Sequence, residues 1–111
     1  ALALGVGDHI AILEYGTYSV ASPEACASIV WRESDKAPQA AEAMKVGAND
    51  LKKIGIVDEI ITEPIGGAHQ DYDTISASIK LSLLTNIAEL SKLSQEELLQ
   101  RRYQRLLKIG A

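Results

Sequence analysis

With 111 residues, 47% hydrophobic side chains and a formal charge of −4, the chain has the size of one globular domain and the wrong sign for a nucleic-acid binder. Its single cysteine, Cys26, excludes an internal disulfide framework and a multi-cysteine zinc site. No apolar run approaches the roughly 20 residues of a bilayer span. These features predict a soluble chain, compatible with a reducing cytoplasm, without a nucleic-acid or membrane partner.

The opening stretch, Ala1-Leu2-Ala3-Leu4-Gly5-Val6-Gly7, has no initiator Met, no polar lead-in and no helix cap, and it lacks the basic region of a secretory signal. The expectation is that it continues from an upstream partner. His9-Ile10-Ala11-Ile12-Leu13 is apolar without alternation, as a strand covered on both faces would be. After the turn Glu14-Tyr15-Gly16, the alternation of Thr17-Tyr18-Ser19-Val20 predicts a second short strand.

Ser22-Pro23-Glu24 is a helix start: Ser caps a free N–H, Pro tolerates the first position, and Glu complements the positive end. That helix is expected to reach Trp31. A second, over Ala37 to Val46, accepts Pro38 in its first turn and is stopped by Gly47. Asn49 is the expected cap of a short helix to Lys53, Gly55 its left-handed end, and Ile56 to Ile61 a strand.

Pro64 and Gly66-Gly67 break regular structure, and Asp71 or Asp73 opens a long helix to about Leu90. Its two apolar sets, Ile75, Ile79, Leu83, Ile87 and Ala77, Leu81, Leu84, Ala88, predict a helix sandwiched between two surfaces. Ser94-Gln95-Glu96-Glu97 matches a capping box, followed by a stripe of Leu99, Tyr103 and Leu106 expected to be buried. About three strands and about five helices over 1–111 make a single, partial α/β domain, its C-terminal helices over about 73–109, with a sheet expected to continue upstream.

Ala48 to Pro64 resembles the helix-to-strand unit of the crotonase superfamily. Thr17 to Trp31 and Asp35 to Met44 resemble the α subunits of bacterial acetyl-CoA carboxylase carboxyltransferase. So do Glu63-Pro64 with Gly66-Gly67-Ala68-His69, and Arg101 to Leu106 before a terminal glycine. The resemblance spans nearly the whole chain and falls on the C-terminal third of that family. Ala25 and Gln70 depart from it, where the family often has Gly and a basic residue; neutral Gln70 is assigned no ligand role.

The resemblance implies the C-terminal portion of a crotonase (ClpP-like) fold and transfer of a carboxyl group from carboxybiotin, carried on the biotin carboxyl carrier protein, to acetyl-CoA. It implies a carboxyltransferase β subunit that holds the zinc, a second α subunit in an α2β2 assembly, a cytoplasmic location, and no covalently bound cofactor here. The glycine donors for the enolate and ureido oxygens are expected upstream of Ala1, so no catalytic residue is assigned and this portion alone is expected to be inactive.

Candidate substrate-binding residues are Ser22, Glu24, Gly66, Gly67 and His69. For Ser22 and Glu24 the plainer reading is helix capping. His69 could move a proton or grip a phosphate, or simply shape its loop. Cys26 reads as buried packing, His9 as a hydrogen-bonded structural histidine, and Arg101, Arg102, Arg105 and Lys108 as a solvated face with a Glu97–Arg101 pair or a subunit contact. Two other classes stay open: an acyl-CoA hydratase or isomerase, needing two acids in its site with Glu24 the only obvious candidate, and a non-enzymatic interaction module built on the doubly apolar helix.

Overall fold

The computed structural model describes residues 2–110; Ala1, the start of the apolar opening, lies outside them. The architecture is mixed α/β. A parallel two-stranded sheet pairs β1 (Ala11–Leu13) with β2 (Glu59–Ile61) in the register Ala11↔Glu59, Ile12↔Ile60, Leu13↔Ile61. The connection carries helices α1 (Pro23–Val30), α2 (Ala37–Met44) and α3 (Ala48–Lys53); after β2 come α4 (Tyr72–Leu90) and α5 (Gln95–Lys108).

Both strands are shorter than their apolar runs. Ile10 leaves the ladder because its N–H donates to Asp58 Oδ2 at 2.8 Å, while its carbonyl accepts from Asp58 and Glu59. Ile56 and Val57 are held back by α3, whose Leu51 carbonyl accepts both their N–H groups. Gly55, at φ +83°, makes that reversal as expected.

Three boundaries differ from expectation. Thr17 to Val20 forms one antiparallel bridge, Thr17↔Gly47, extended only by Tyr18 N–H donating to Val46 O, and not a strand. Ser19 turns its hydroxyl onto the Ala21 carbonyl, a local bond that competes with pairing. The bridge holds Gly47 extended, so Gly47 and not Asn49 sits at the cap of α3. Lys45, left-handed at φ +51°, ends α2 at Met44, two residues short of Val46.

The caps chosen by local chemistry are in place. Ser22 Oγ accepts from Ala25 N–H at 3.1 Å, and Asp71 Oδ1 from Thr74 N–H at 3.1 Å. Ser94 Oγ accepts from Glu97 N–H at 3.2 Å, but Glu97 returns to the Ser94 hydroxyl and not to its backbone, so half of the capping box forms. Among the described residues the ion pairs do not include Glu97 with Arg101.

The core is small: Ala27, Ala40, Ala48, Leu51, Val57 and Ile75 are buried. Helices α1 and α2 pack on each other, each contributing a fully buried alanine, and α4 lies on β2. Cys26 is half-buried and not fully buried. Among the described residues α4 is covered on one flank only, with Leu81, Leu83, Leu84 and Ile87 more than half exposed, because two short strands offer a single surface. The expected stripe on α5 is likewise exposed, Leu99 by 52% and Tyr103 by 58%.

Ion pairs hold α5 instead. Arg102 grips Asp8 with Nε to Oδ1 at 2.9 Å and Nη2 to Oδ2 at 2.8 Å, a bidentate geometry. That pairing holds the Asp8 carboxyl below its ordinary range and raises the Arg102 guanidinium. Arg105 donates to the Ile56 carbonyl at 2.8 Å and pairs with Asp58 at 3.1 Å. The basic cluster is therefore not simply a solvated face.

Candidate functional site at the strand ends

Parallel strands bring their carboxyl ends to one edge, where the loops that leave them meet; in open α/β sheets this edge is the usual place for ligands. Here it joins the Glu14-Tyr15-Gly16 turn after β1 to the 62–71 segment after β2. Glu63 ties the two together. Its Oε2 accepts from Tyr15 N–H at 2.6 Å, its Oε1 from Ala68 N–H at 2.8 Å, and its own N–H donates to Glu14 Oε1 at 3.0 Å. A further bond, Glu14 N–H to Ile61 O at 2.9 Å, continues the ladder into the turn.

Within the loop, Gly67 N–H closes a turn onto Pro64 O at 2.9 Å. Gly66 and Gly67 sit at φ +91° and +110°, conformations that side chains rarely adopt. A Cβ on Gly67 would fall 3.1 Å from His69 Cε1, so the missing side chain lets the imidazole lie against the backbone. The Gln70 amide nitrogen lies 3.0 Å from His69 Nε2, a hydrogen bond that orients the ring. Ile65, 97% exposed, projects beside the glycine pair.

Of the sequence candidates, the fold thus brings together Gly66, Gly67 and His69. Ser22 is engaged as the cap of α1, and Glu24 is an exposed residue of its first turn. No hydrogen bond or ion pair among the described residues links either of them to the 63–70 loop. In the sequence Glu63 carries no role beyond its place in a motif; an acid just past a strand and ahead of Pro64-Ile65-Gly66-Gly67 is the signal that marks it. Gln70, set aside for lack of charge, orients His69.

A second polar cluster lies under α4. Glu59 Oε1 accepts from His9 Nε2 at 2.8 Å, Ser82 Oγ at 2.8 Å and Asn86 Nδ2 at 3.2 Å. These donors, His9 first and then Ser82, hold the Glu59 carboxyl below its ordinary value. His9 is therefore a hydrogen-bonded histidine, as expected. Next to it a cavity of about 480 Å³ opens between Leu13, Ile61, Ile79 and Leu83.

A larger apolar cleft of about 600 Å³ runs between α3 and α5, lined by Tyr18, Val46, Leu51, Ile56 and Leu106. The strand-end edge carries a smaller, more polar hollow of about 280 Å³ bounded by Glu14, Tyr15, Thr17 and Asn49. No group of three or more His, Cys, Asp and Glu side chains among the described residues is placed to hold a metal. Among the described residues no helix is long and apolar enough to cross a membrane.

Comparison with known proteins gives one consistent answer. The family model for acetyl co-enzyme A carboxylase carboxyltransferase-like proteins matches residues 1–110. A relative from Photobacterium profundum, the acetyl-coenzyme A carboxylase carboxyl transferase subunit alpha, is 60% identical over 110 residues. Subunits of the same name from Photorhabdus laumondii and Vibrio vulnificus are each 57% identical over the same length. In all three the match takes in 99% of this chain and 34% of the relative, so the chain spans about a third of the length of the curated relatives it matches. By this match over nearly every residue, the chain belongs to the acetyl-CoA carboxylase carboxyltransferase-like family.

Proposed function

We propose that this chain serves as the C-terminal part of a carboxyltransferase α subunit, which together with a β subunit moves a carboxyl group from carboxybiotin to acetyl-CoA and yields malonyl-CoA. The observation that carries the reading is the unbroken match of residues 1–110 to the family. In the reaction the acetyl methyl group gives up a proton. The resulting enolate carbon bonds to the carboxyl carbon as its bond to the biotin nitrogen breaks, and the ureido group then takes up a proton. Each developing oxyanion needs fixed donors, and one such donor is typically worth about 2.7–4 kcal/mol of transition-state stabilisation.

This chain's share is the platform beside those donors. Its parallel strands suit the crotonase type of fold, and the Gly66-Gly67 turn, without side chains, lets a substrate come close to the backbone. His69, oriented by Gln70, supplies an imidazole at the same edge. The principal oxyanion glycines belong to the part of the family's sequence that precedes the residues matched here. The exposed apolar flank of α4 suits contact with the rest of the subunit, a second α subunit or the β subunit in an α2β2 complex. The carboxybiotin arrives on a carrier protein, in the cytoplasm, and zinc belongs to the β subunit.

An acyl-CoA hydratase or isomerase would need two free acids in its site. Glu63 has both oxygens engaged by backbone N–H groups, which does not suit that role. Reconstitution tests the proposal. The chain mixed with a β subunit and carboxybiotin carrier should form no malonyl-CoA, whereas an α subunit of the relatives' length that contains this sequence should. Turnover by the chain alone, or none by the longer subunit, would overturn it.

A further inference from the structure

The geometry points to Glu63 as a positioning residue: by gripping Tyr15 N–H and Ala68 N–H with its two carboxylate oxygens, it sets where the Gly66-Gly67-His69 loop stands relative to the end of β1. The inference rests on the reading above for the loop's role, although the clasp itself does not. The 64–67 turn contains two glycines in left-handed conformations and an almost fully exposed Ile65. The exposed Ile65 side chain therefore does not anchor the tip of the loop to the sheet edge.

Glu63 does. It is the second residue past the end of β2, so its backbone is anchored by the sheet, and its side chain reaches forward to Ala68 and sideways to Tyr15. At 2.6 and 2.8 Å these are short, charge-assisted bonds. The clasp closes from the other side through Glu63 N–H to Glu14 Oε1. A carboxylate accepts at both oxygens, whereas an amide of the same shape accepts at one and presents donors at the other. Glutamine at 63 can satisfy Tyr15 or Ala68 but not both. Glutamine at 14 keeps the single acceptor that Glu63 N–H uses.

That asymmetry is the test. In the assembled carboxyltransferase, Glu63→Gln should speed amide hydrogen exchange at Tyr15 or Ala68 on the order of 10-fold, the loss expected for one charge-assisted hydrogen bond. Exchange in α4 and α5 should stay unchanged. The same variant should lower kcat with little effect on KM for acetyl-CoA, because a displaced loop still binds substrate but holds it out of line with the reacting groups. Glu14→Gln, which keeps its single acceptor, should leave exchange at Tyr15 and Ala68 near wild type.

Equal exchange at Tyr15 and Ala68 in the two variants, or unchanged exchange at both amides in Glu63→Gln, would overturn the assignment. Faster exchange with unaltered kcat and KM would keep the clasp and remove its catalytic consequence. A wild-type assembly that makes no malonyl-CoA would refute the functional reading while leaving the exchange result to judge Glu63. Should Glu63→Gln fail to fold, Glu63→Asp decides: it keeps both acceptors on a shorter arm, and must show the loop-confined exchange increase for the inference to stand.

Discussion

Glu59 offers the sharpest test of what holds α4 to the sheet. One oxygen of this residue collects donors from three places: His9 just before β1, and Ser82 and Asn86 on successive turns of α4. Removing the acceptor with Glu59→Ala loses all three bonds and leaves their donors in a site that is only partly open, since the His9 side chain is 19% and Glu59 32% exposed. A hydrogen bond to a charged group contributes about 1.5–3 kcal/mol; three bonds on one oxygen are not additive, and water reaches a third of the acceptor, so about 2 kcal/mol in total is expected. Glu59→Gln keeps an acceptor and should lose less than half of that.

Urea unfolding followed by circular dichroism measures both, with unchanged m-values as the sign that only stability moved. The donors lower the folded-state carboxyl below its ordinary value of 4.5. A lowered carboxylate contributes stability that is present above the unfolded value and lost as pH falls through the folded one. The gap between wild type and Glu59→Ala should therefore be full at pH 7 and should narrow below about pH 4.5. A Glu59→Ala chain within 0.5 kcal/mol of wild type at pH 7, a margin about the size of a surface substitution's effect, or a gap that widens in acid, would refute the reasoning.

Two further perturbations follow from the same geometry. Gly67→Ala places a side chain at φ +110°, ψ 171°, a region reserved almost entirely for glycine, and against the His69 ring; a loss of about 1–3 kcal/mol is expected in the same unfolding assay. Asp8→Asn leaves Arg102 with a single neutral acceptor, so amide exchange should rise along α5 and not in α4. Because Arg102 holds the Asp8 carboxyl low, the wild-type clamp should persist above its ordinary value of 3.8 and release as pH falls further, with salt weakening it as well. Exchange in α5 that ignores both salt and the substitution would show that something other than the ion pair holds the helix.

The amino-acid sequence by itself determined the features whose physics is local. Ser22, Asp71 and Ser94 cap helices with N–H groups three residues ahead, and Gly55 reverses the chain within one turn. The ordered motifs likewise identified the family, because a match of this kind needs only the order of residues. Tertiary structure decided what depends on distant partners. Thr17 to Val20 has the alternation of a strand, yet its pairing is a single bridge to Gly47 beside Val46, and the same pairing moves the cap of α3 away from Asn49.

The periodic Leu and Tyr of α5 predict a buried stripe. The helix is instead tethered by Arg102 to an aspartate 94 residues away, and its apolar side chains stay exposed. The site divides in the same way. Gly66, Gly67 and His69 were legible as a loop from composition. That Glu63 would span 48 residues to Tyr15, and that Gln70 would orient His69, could be seen only once the parallel strands had brought their ends together. Hydrogen bonds of that reach leave no periodicity in the sequence, because their partners are chosen by how the chain crosses back over itself.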